Sequence, residues 1–143
     1  MDLTLGIASD HGGYELKQAI IQTLTDIEFI DLGTNNSDRV DYPHFADRLC
    51  THIIEQNVTC GILICGTGIG ISMRANRHFG IRAAVVTSKV TAGLAKAHNN
   101  ANVICLGGRT TSNEDAIIYI NEWLSSTYEG GRHDARLAML DQP

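Results

Sequence analysis

The sequence predicts an α/β fold in which five parallel strands form one sheet between two layers of helices. Short apolar segments alternate five times with segments whose apolar residues recur at helical spacing. Short connections separate them, and this alternation favours parallel strands joined by right-handed crossovers. We therefore expect a three-layer, Rossmann-like sandwich with a C-terminal helical tail.

The first half of the chain is predicted to supply two strands and two helices before the central strand. Apolar strands are expected over residues 3–8 and 29–32, and apolar residues at helical spacing predict a helix over about residues 14–27. Pro43 is well placed to open the next helix. The residues expected on the buried face of that helix are Phe45, Leu49, Cys50, Ile53 and Ile54.

Three further strands are predicted over residues 61–65, 81–86 and 103–106. The first of them is a short apolar segment bounded by glycine, which is typical of a buried strand in a parallel sheet. A helix follows it to about Arg77. A short basic tail over residues 132–140 is also expected to be helical.

Two serines mark the starts of the later helices. Ser88 is the expected N-cap of a helix that reaches about His98. Ser112 and Asp115 resemble a capping box for the helix after the fifth strand.

Composition and charge indicate one globular domain over residues 1–143. Hydrophobic residues make up 43% of the chain, and the formal net charge is −5, which argues against a general nucleic-acid-binding surface. No apolar segment approaches the ~20 residues that span a membrane. The N-terminal residues also lack the basic segment of a signal peptide, so we expect a cytoplasmic protein.

Ligands of such sheets bind beyond the carboxyl ends of the strands. Three predicted loops lie there, over residues 10–11, 65–70 and 107–110. The middle loop is a G-x-G-x-G turn, which lacks the spacing of a dinucleotide fingerprint and the lysine of a nucleotide P-loop. Two interpretations stay open: a tight turn without a ligand, or backbone N–H groups at a helix N-terminus that bind an anion.

Cys65 lies directly before this glycine turn. Most cysteines that end an apolar segment are small buried hydrophobes, but a helix N-terminus favours the reactive thiolate form. Cys65 is therefore a candidate base. Cys50, Cys60 and Cys105 lack this context and are expected in or near the core as reduced thiols, because no CxxC pair indicates zinc or a disulfide.

Other polar residues each admit a structural and a functional interpretation. Asp10-His11 is either a helix cap with a surface histidine or an acid–base and phosphate-contacting pair. His98 either has a structural role at a helix C-terminus, where a charged histidine is favoured, or contacts a ligand. Arg132 and Arg136 share a helix face and, like Arg109, either bind phosphate or are simply solvated. The histidines expected to be structural or exposed are His44, His52, His78 and His133.

Six motifs in collinear order, within residues 3–136, resemble ribose-5-phosphate isomerase type B. This is part of a wider sugar-phosphate isomerase family that includes galactose-6-phosphate and allose-6-phosphate isomerases. The motifs are Asp10-His11-Gly12, Asp41-Tyr42-Pro43-His44, Cys65-Gly66-Thr67-Gly68-Ile69-Gly70, His98-Asn99, Asn102-Val103 and Tyr128-Glu129-Gly130-Gly131-Arg132-His133.

The resemblance implies an aldose–ketose isomerase that interconverts ribose 5-phosphate and ribulose 5-phosphate through an enediolate, in the pentose phosphate pathway. It implies a homodimer or a dimer of dimers with sites built from both subunits, and no metal or organic cofactor. Alternatives are a six-carbon substrate, allose 6-phosphate or galactose 6-phosphate, and a non-catalytic α/β module that binds an anion.

The resemblance also implies residue roles. Cys65 is the base, His98 opens the sugar ring, Asp10 moves protons between sugar oxygens, and Thr67 sets the thiol. Asn99 and Arg109 are expected from the other subunit. The substrate-binding residues implied are Asp10, His11, Tyr42, Gly66, Thr67, Gly68, Ile69, Gly70, Asn99, Arg109, Arg132 and Arg136.

Overall fold

The structure is a computed structural model that describes residues 3–143, so two residues of the N-terminal segment considered above, Met1 and Asp2, lie outside the described residues. The strands are β1 (Leu3–Ser9), β2 (Ile27–Asp31), β3 (Gly61–Cys65), β4 (Ala83–Val85) and β5 (Val103–Gly107). The helices are α1 (Tyr14–Thr23), α2 (Tyr42–Ile54), α3 (Ile69–Ala75), α4 (Lys89–Ala97), α5 (Asn113–Ser125) and α6 (Asp134–Leu140). Within this part of the chain, none of the helices has the length and apolar character needed to cross a membrane.

The predicted five-stranded parallel sheet is confirmed. Its strand order is β2-β1-β3-β5-β4, and all neighbouring strands run parallel. Parallel crossovers are right-handed. A helix therefore lies on one face of the sheet when its connection runs toward one edge strand, and on the other face when its connection runs the opposite way. The chain therefore places α2 and α3 on one face and α1, α4 and α5 on the other.

Each face of the sheet has its own hydrophobic core. Ile62 and Ile64 of β3 face α1, α4 and α5 in a core that contains the fully buried Trp123. Leu63 and Cys65 point to the opposite face, where α2 and α3 cover them. Alternate residues of a strand point to opposite faces, so β3 serves both cores, and full burial of each large apolar side chain contributes about 1.5–3 kcal/mol.

Several boundaries differ from the prediction for local reasons. Helix α1 stops short of residue 27 because Leu24 leaves the helical conformation, with φ −93° and ψ 70°, and β2 starts earlier than predicted. Helix α3 stops before Arg77, and β4 is shorter than residues 81–86. Asn76 accounts for both limits, because its side chain hydrogen-bonds the N–H and C=O of Ala83.

The predicted helix starts are confirmed. Ser88 and Ser112 cap α4 and α5, each accepting a hydrogen bond from the backbone N–H three residues ahead, at 3.0 and 3.1 Å. Pro43 lies in the first turn of α2. The expectation for Ile54 is wrong, since its side chain is exposed. The tail is a 3-10 turn over residues 131–133 followed by α6, rather than one continuous helix.

An ion-pair cluster joins α2 to α3, the helix that follows the glycine turn. Arg74 on α3 donates through Nε and Nη2 to the two carboxylate oxygens of Asp47 on α2, at 2.8 and 3.0 Å. His78 Nε2 lies 2.7 Å from Asp47 Oδ1. The Arg74 hydrogen bond holds the pKa of Asp47 below its ordinary value, so the ionised carboxylate fixes α3 against α2.

The Asp47 carboxylate stabilises the fold only while it is ionised, because its pKa is lower in the folded than in the unfolded chain. We expect Asp47→Asn to lower the melting temperature at about pH 7. The difference from the wild type should shrink as the pH falls below about 4, the ordinary value, and vanish only below the lowered pKa of Asp47 in the folded protein, where the wild-type carboxyl is also neutral. Thermal unfolding by circular dichroism measures this, and a difference that does not change with pH contradicts the assignment.

Candidate active site

The glycine turn after β3 wraps around the sulfur of Cys65. Gly68 adopts the left-handed conformation with φ +80°, and its backbone N–H donates to Cys65 Sγ at 3.2 Å. The Ile69 N–H donates to Thr67 Oγ1 at 3.2 Å. Two amides that the sequence predicts as bare donors are therefore already engaged within the turn, and one of them holds the thiol.

The loop after β1 lies beside this turn. The Asp10 N–H donates to the Ile64 carbonyl at 3.1 Å, which ties the loop to β3. The Asp10 side chain is buried and accepts from the Gly13 N–H at 3.1 Å, as a cap would. His11 Nδ1 accepts from the Val40 N–H at 3.1 Å. This bond places the proton of a neutral His11 on Nε2, because the accepting nitrogen must carry a lone pair.

The loop after β5 is hydrogen-bonded to the start of the same turn. The Gly108 N–H donates to the Cys65 carbonyl at 2.8 Å, and the Arg109 N–H donates to the Gly66 carbonyl at 3.0 Å. The Arg109 side chain packs over Gly66, where an added Cβ would lie 3.5 Å from Arg109 Nη1. The expectation that Arg109 comes from the other subunit is therefore wrong, since its own chain brings it to this turn.

A cleft of about 820 Å³ opens beside these loops. Tyr42 lines it and packs on the glycine turn, because an added Cβ at Gly70 would lie 2.6 Å from the Tyr42 hydroxyl. The lining side chains that are cationic or can become so are His11, Arg39, His44, Arg74 and Arg109. Asp10, Asp41 and Asp47 also line the cleft, and Asp47 is paired with Arg74. An anionic ligand would therefore be bound by Arg39, Arg109 and the two histidines.

The four cysteines differ in their environments. Burial raises the pKa of Cys50 to about 12 and also raises the pKa values of Cys60 and Cys105, so these three stay protonated. All four are free thiols, as expected. Cys50 and Cys105 are completely buried, whereas Cys65 keeps 4% exposure at the carboxyl end of its strand.

His98 and Asn99 lie at the opposite edge of the sheet. They follow the C-terminus of α4, where the chain turns back into the start of β5. The register pairs Val103 with Gly61 at this edge and Gly107 with Cys65 at the other. Since strands rise about 3.3 Å per residue, the length of β3 separates His98 from Cys65 by roughly 13 Å or more.

The C-terminal tail packs against this opposite edge. The Glu129 N–H donates to the Ala97 carbonyl at 2.9 Å, and the His133 ring stacks on the His98 ring with centroids 4.5 Å apart. Arg82 Nη1 pairs with Asp141 at 3.0 Å and holds the end of the tail. Arg132 and Arg136 are exposed, and they belong to the tail that packs at this edge, whereas Cys65 of the same chain lies at the other edge.

The sequence-predicted residues therefore form two separate groups. The carboxyl-edge cluster contains Asp10, His11, Tyr42, the turn from Cys65 to Gly70, and Arg109. The amino-edge cluster contains His98, Asn99, Glu129, Arg132, His133 and Arg136. One chain by itself does not bring the candidate base and the candidate ring-opening acid together.

Several residues at these clusters were not predicted as functional, among them Arg39, Glu129 and His133. Arg39 lines the cleft three residues before Tyr42, in a loop whose path the sequence does not determine. Glu129 and His133 are four residues apart and both face His98. Their spacing is a weak signal alone, because the contact depends on how the tail folds back onto α4.

Comparisons with known proteins bear on this arrangement. A sequence model of the family described as Ribose/Galactose Isomerase matches residues 5–140. Ribose-5-phosphate isomerase B of Escherichia coli is 42% identical over 138 residues, which covers 95% of this chain and 93% of that protein. A structure of ribose-5-phosphate isomerase B from Clostridium thermocellum superposes with a TM-score of 0.95 at 40% identity, covering 97% and 95% of the two chains.

A further similar structure contains a sugar phosphate. It is ribose-5-phosphate isomerase B from Mycoplasma genitalium with bound ribulose-5-phosphate, with a TM-score of 0.92 at 40% identity over 97% of this chain and 94% of that chain. The fold and these matches define an enzyme of the aldose–ketose isomerase class. The chain belongs to the ribose/galactose isomerase family. The alternative of a non-catalytic binding module is therefore not supported.

Gly68 is the residue on which the shape of the turn depends most strongly. Its φ of +80° disfavours any side chain, and an added Cβ would lie 3.0 Å from the carbonyl carbon of Leu106. We expect Gly68→Ala to lower the free energy of unfolding by about 1–3 kcal/mol. Urea unfolding measures this, with Gly80→Ala as a control that has the same sign of φ but open space around its Cβ. Equal losses in the two variants would contradict the packing argument.

Proposed function

We propose that this enzyme interconverts ribose 5-phosphate and ribulose 5-phosphate, with Cys65 as the base. The observation that carries the proposal is the hydrogen bond from the Gly68 amide to Cys65 Sγ, 3.2 Å long, at the carboxyl edge of the sheet. A donor aimed at sulfur favours the thiolate, which is the form that takes a proton. The names of the Escherichia coli and Clostridium thermocellum relatives support the pentose substrate.

The reaction moves one proton between neighbouring carbons. The Cys65 thiolate removes the proton from the carbon next to the aldehyde, and the electron pair of that C–H bond forms the enediolate. The hydroxyl proton of that neighbouring carbon then moves to the former aldehyde oxygen. The thiol returns its own proton to the former aldehyde carbon, and the neighbouring carbon becomes the ketone. No electrons leave the sugar, so the proposed reaction involves neither an external oxidant nor a cofactor.

The enediolate needs hydrogen-bond donors, because a carbon acid is too weak to ionise without them. The backbone amides of the turn from Gly66 to Gly70 are the proposed donors. Those of Gly68 and Ile69 already donate to the sulfur and to Thr67, so the other amides of the turn are the ones proposed to face the enediolate. By accepting from the Ile69 amide, Thr67 fixes the turn around the thiol. Asp10, buried beside this turn, is the proposed carrier of protons between the two sugar oxygens.

A second copy of the chain is proposed to complete the site. His98 would open the furanose ring, Asn99 would contact the sugar, and Arg132 and Arg136 would bind the phosphate together with His11 of the first copy. A two-fold dimer that places the amino-edge cluster of one chain on the carboxyl-edge cluster of the other forms two identical sites.

Exposed apolar side chains support association of two copies. Ile69 and Met73 on α3, and Phe79 four residues after the end of that helix, leave large parts of their side chains exposed. Two of them lie on the helix that follows the glycine turn and the third lies close to its end, and exposed apolar side chains near one another are typical of protein interfaces. A homodimer, or a pair of such dimers, is therefore the proposed assembly, and the cytoplasm and the pentose phosphate pathway its proposed setting.

Turnover of purified enzyme on ribose 5-phosphate, allose 6-phosphate and galactose 6-phosphate tests the substrate. We expect the ratio kcat/KM to be highest for ribose 5-phosphate. A higher ratio for either six-carbon sugar phosphate would overturn the pentose proposal and favour the alternative substrate class.

Replacing the thiol tests the base. We expect Cys65→Ala to lower kcat by about 10²–10⁴-fold, the usual contribution of a general base, while ribose 5-phosphate still binds in calorimetry. Cys60→Ala is the matched control, because it removes a thiol just before the other end of β3 and should keep its activity. Full activity in Cys65→Ala would remove Cys65 from the chemical step.

Replacing both tail arginines tests the phosphate contact. Phosphate binding is largely the same in the substrate and the transition state, so Arg132→Gln with Arg136→Gln should mainly raise KM, by roughly tenfold or more. Arg48→Gln is the control, since Arg48 is an exposed arginine of α2 that donates to the Leu32 carbonyl. An unchanged KM in the double variant would exclude the tail from the site.

A further inference from the structure

Three metal-binding side chains converge within the amino-edge cluster. Glu129 Oε1 lies 3.7 Å from His98 Nε2 and 3.6 Å from His133 Nε2. The three ligand atoms all lie within 4.8 Å of one another. These two separations are too long for hydrogen bonds, yet they are close to the distance of about 3.4 Å between two ligand atoms of a tetrahedral zinc ion.

His133 gives an independent indication that this group binds something. The residue is only 6% exposed, and its Nε2 has no hydrogen-bond partner among residues 3–143. A buried polar atom without a partner costs about 1–3 kcal/mol, so such atoms are rare unless a ligand satisfies them. The nitrogen faces the Glu129 carboxylate, so its missing partner would lie inside the group.

We propose that His98, Glu129 and His133 form a binding site for Zn²⁺. Two imidazoles and one carboxylate are ligands that zinc prefers, and three protein ligands leave a fourth position for water. The hydrogen bond from the Glu129 N–H to the Ala97 carbonyl holds the tail against the end of α4. Glu129 and His133, both on the tail, are therefore held near His98 before a metal binds.

One ring must move for the metal to bind. The rings of His98 and His133 stack within 22° of parallel, and a metal has to lie near the plane of each ring that coordinates it. The side chain of His98 is 35% exposed, so it is free to turn out of the stack. His133 is held by burial and keeps its Nε2 directed at Glu129.

Zinc at this site would act as an inhibitor rather than as a cofactor. This consequence rests on the proposed function, in which His98 opens the sugar ring. A metal on His98 Nε2 occupies the atom that would exchange the proton, and it also holds the ring away from the substrate. Bound Zn²⁺ should therefore lower turnover without any contact with Cys65.

Calorimetric titration with Zn²⁺ tests the site independently of activity. The protein used is Cys65→Ala, in which the candidate catalytic thiol cannot bind the metal. We expect one zinc ion per chain in this variant. Adding Glu129→Gln or His133→Ala should weaken the affinity by roughly tenfold or more, because even residues that only support a ligand change affinity by this factor. Adding His52→Ala, a histidine of α2, should leave the affinity unchanged.

The outcomes separate the two proposals. Absence of zinc binding in Cys65→Ala, or equal affinity in the Glu129→Gln and parent proteins, would overturn the site. Glu129→Gln keeps the size of an exposed side chain, so it should fold even if His133→Ala does not. Zinc binding without any loss of wild-type turnover would overturn the inhibition. Absence of turnover on every sugar phosphate would overturn the proposed function and leave the zinc site standing.

Discussion

The hydrogen bond from the Gly68 amide to the Cys65 sulfur is the interaction on which the proposed active site depends. It exists because Gly68 adopts a φ of +80° that a side chain would disfavour, and because β3 ends at Cys65. The loops after β1 and β5 add hydrogen bonds to Ile64 and to the Cys65 and Gly66 carbonyls. Main-chain atoms from the loops that follow three neighbouring strands therefore hold the backbone around Cys65 and its thiol.

The same topology that builds this turn also divides the site. A helix that follows a parallel strand returns to the opposite edge of the sheet, so α4 carries His98 away from the edge where Cys65 lies. The tail packs on His98 and adds Arg132 and Arg136 to that edge. Association of two copies is a simple way to bring together groups that the fold of one chain keeps about 13 Å or more apart.

The sequence predicts the fold well, because the alternation of apolar strands and amphipathic helices and the serine caps are local signals. It predicts less of the site. The G-x-G-x-G spacing indicates a turn after Cys65, but not that Gly68 bonds the sulfur. The expectation that Arg109 comes from the other subunit was wrong. Arg109 packs over Gly66 of its own chain because β5 lies next to β3 in the sheet, and the strand order is not readable from the sequence. The stack of His133 on His98 depends on the tail folding back, which no local pattern encodes.

Mixing two inactive variants measures most directly whether sites are shared between chains. Cys65→Ala and His98→Ala chains, unfolded together and refolded, should recover about a quarter of wild-type turnover. Half of the dimers are then hybrids, and one of the two sites in each hybrid carries both intact residues. Each variant refolded alone should stay inactive. Absence of recovery, with hybrid dimers confirmed by native mass spectrometry, would contradict a site built from Cys65 of one chain and His98 of another.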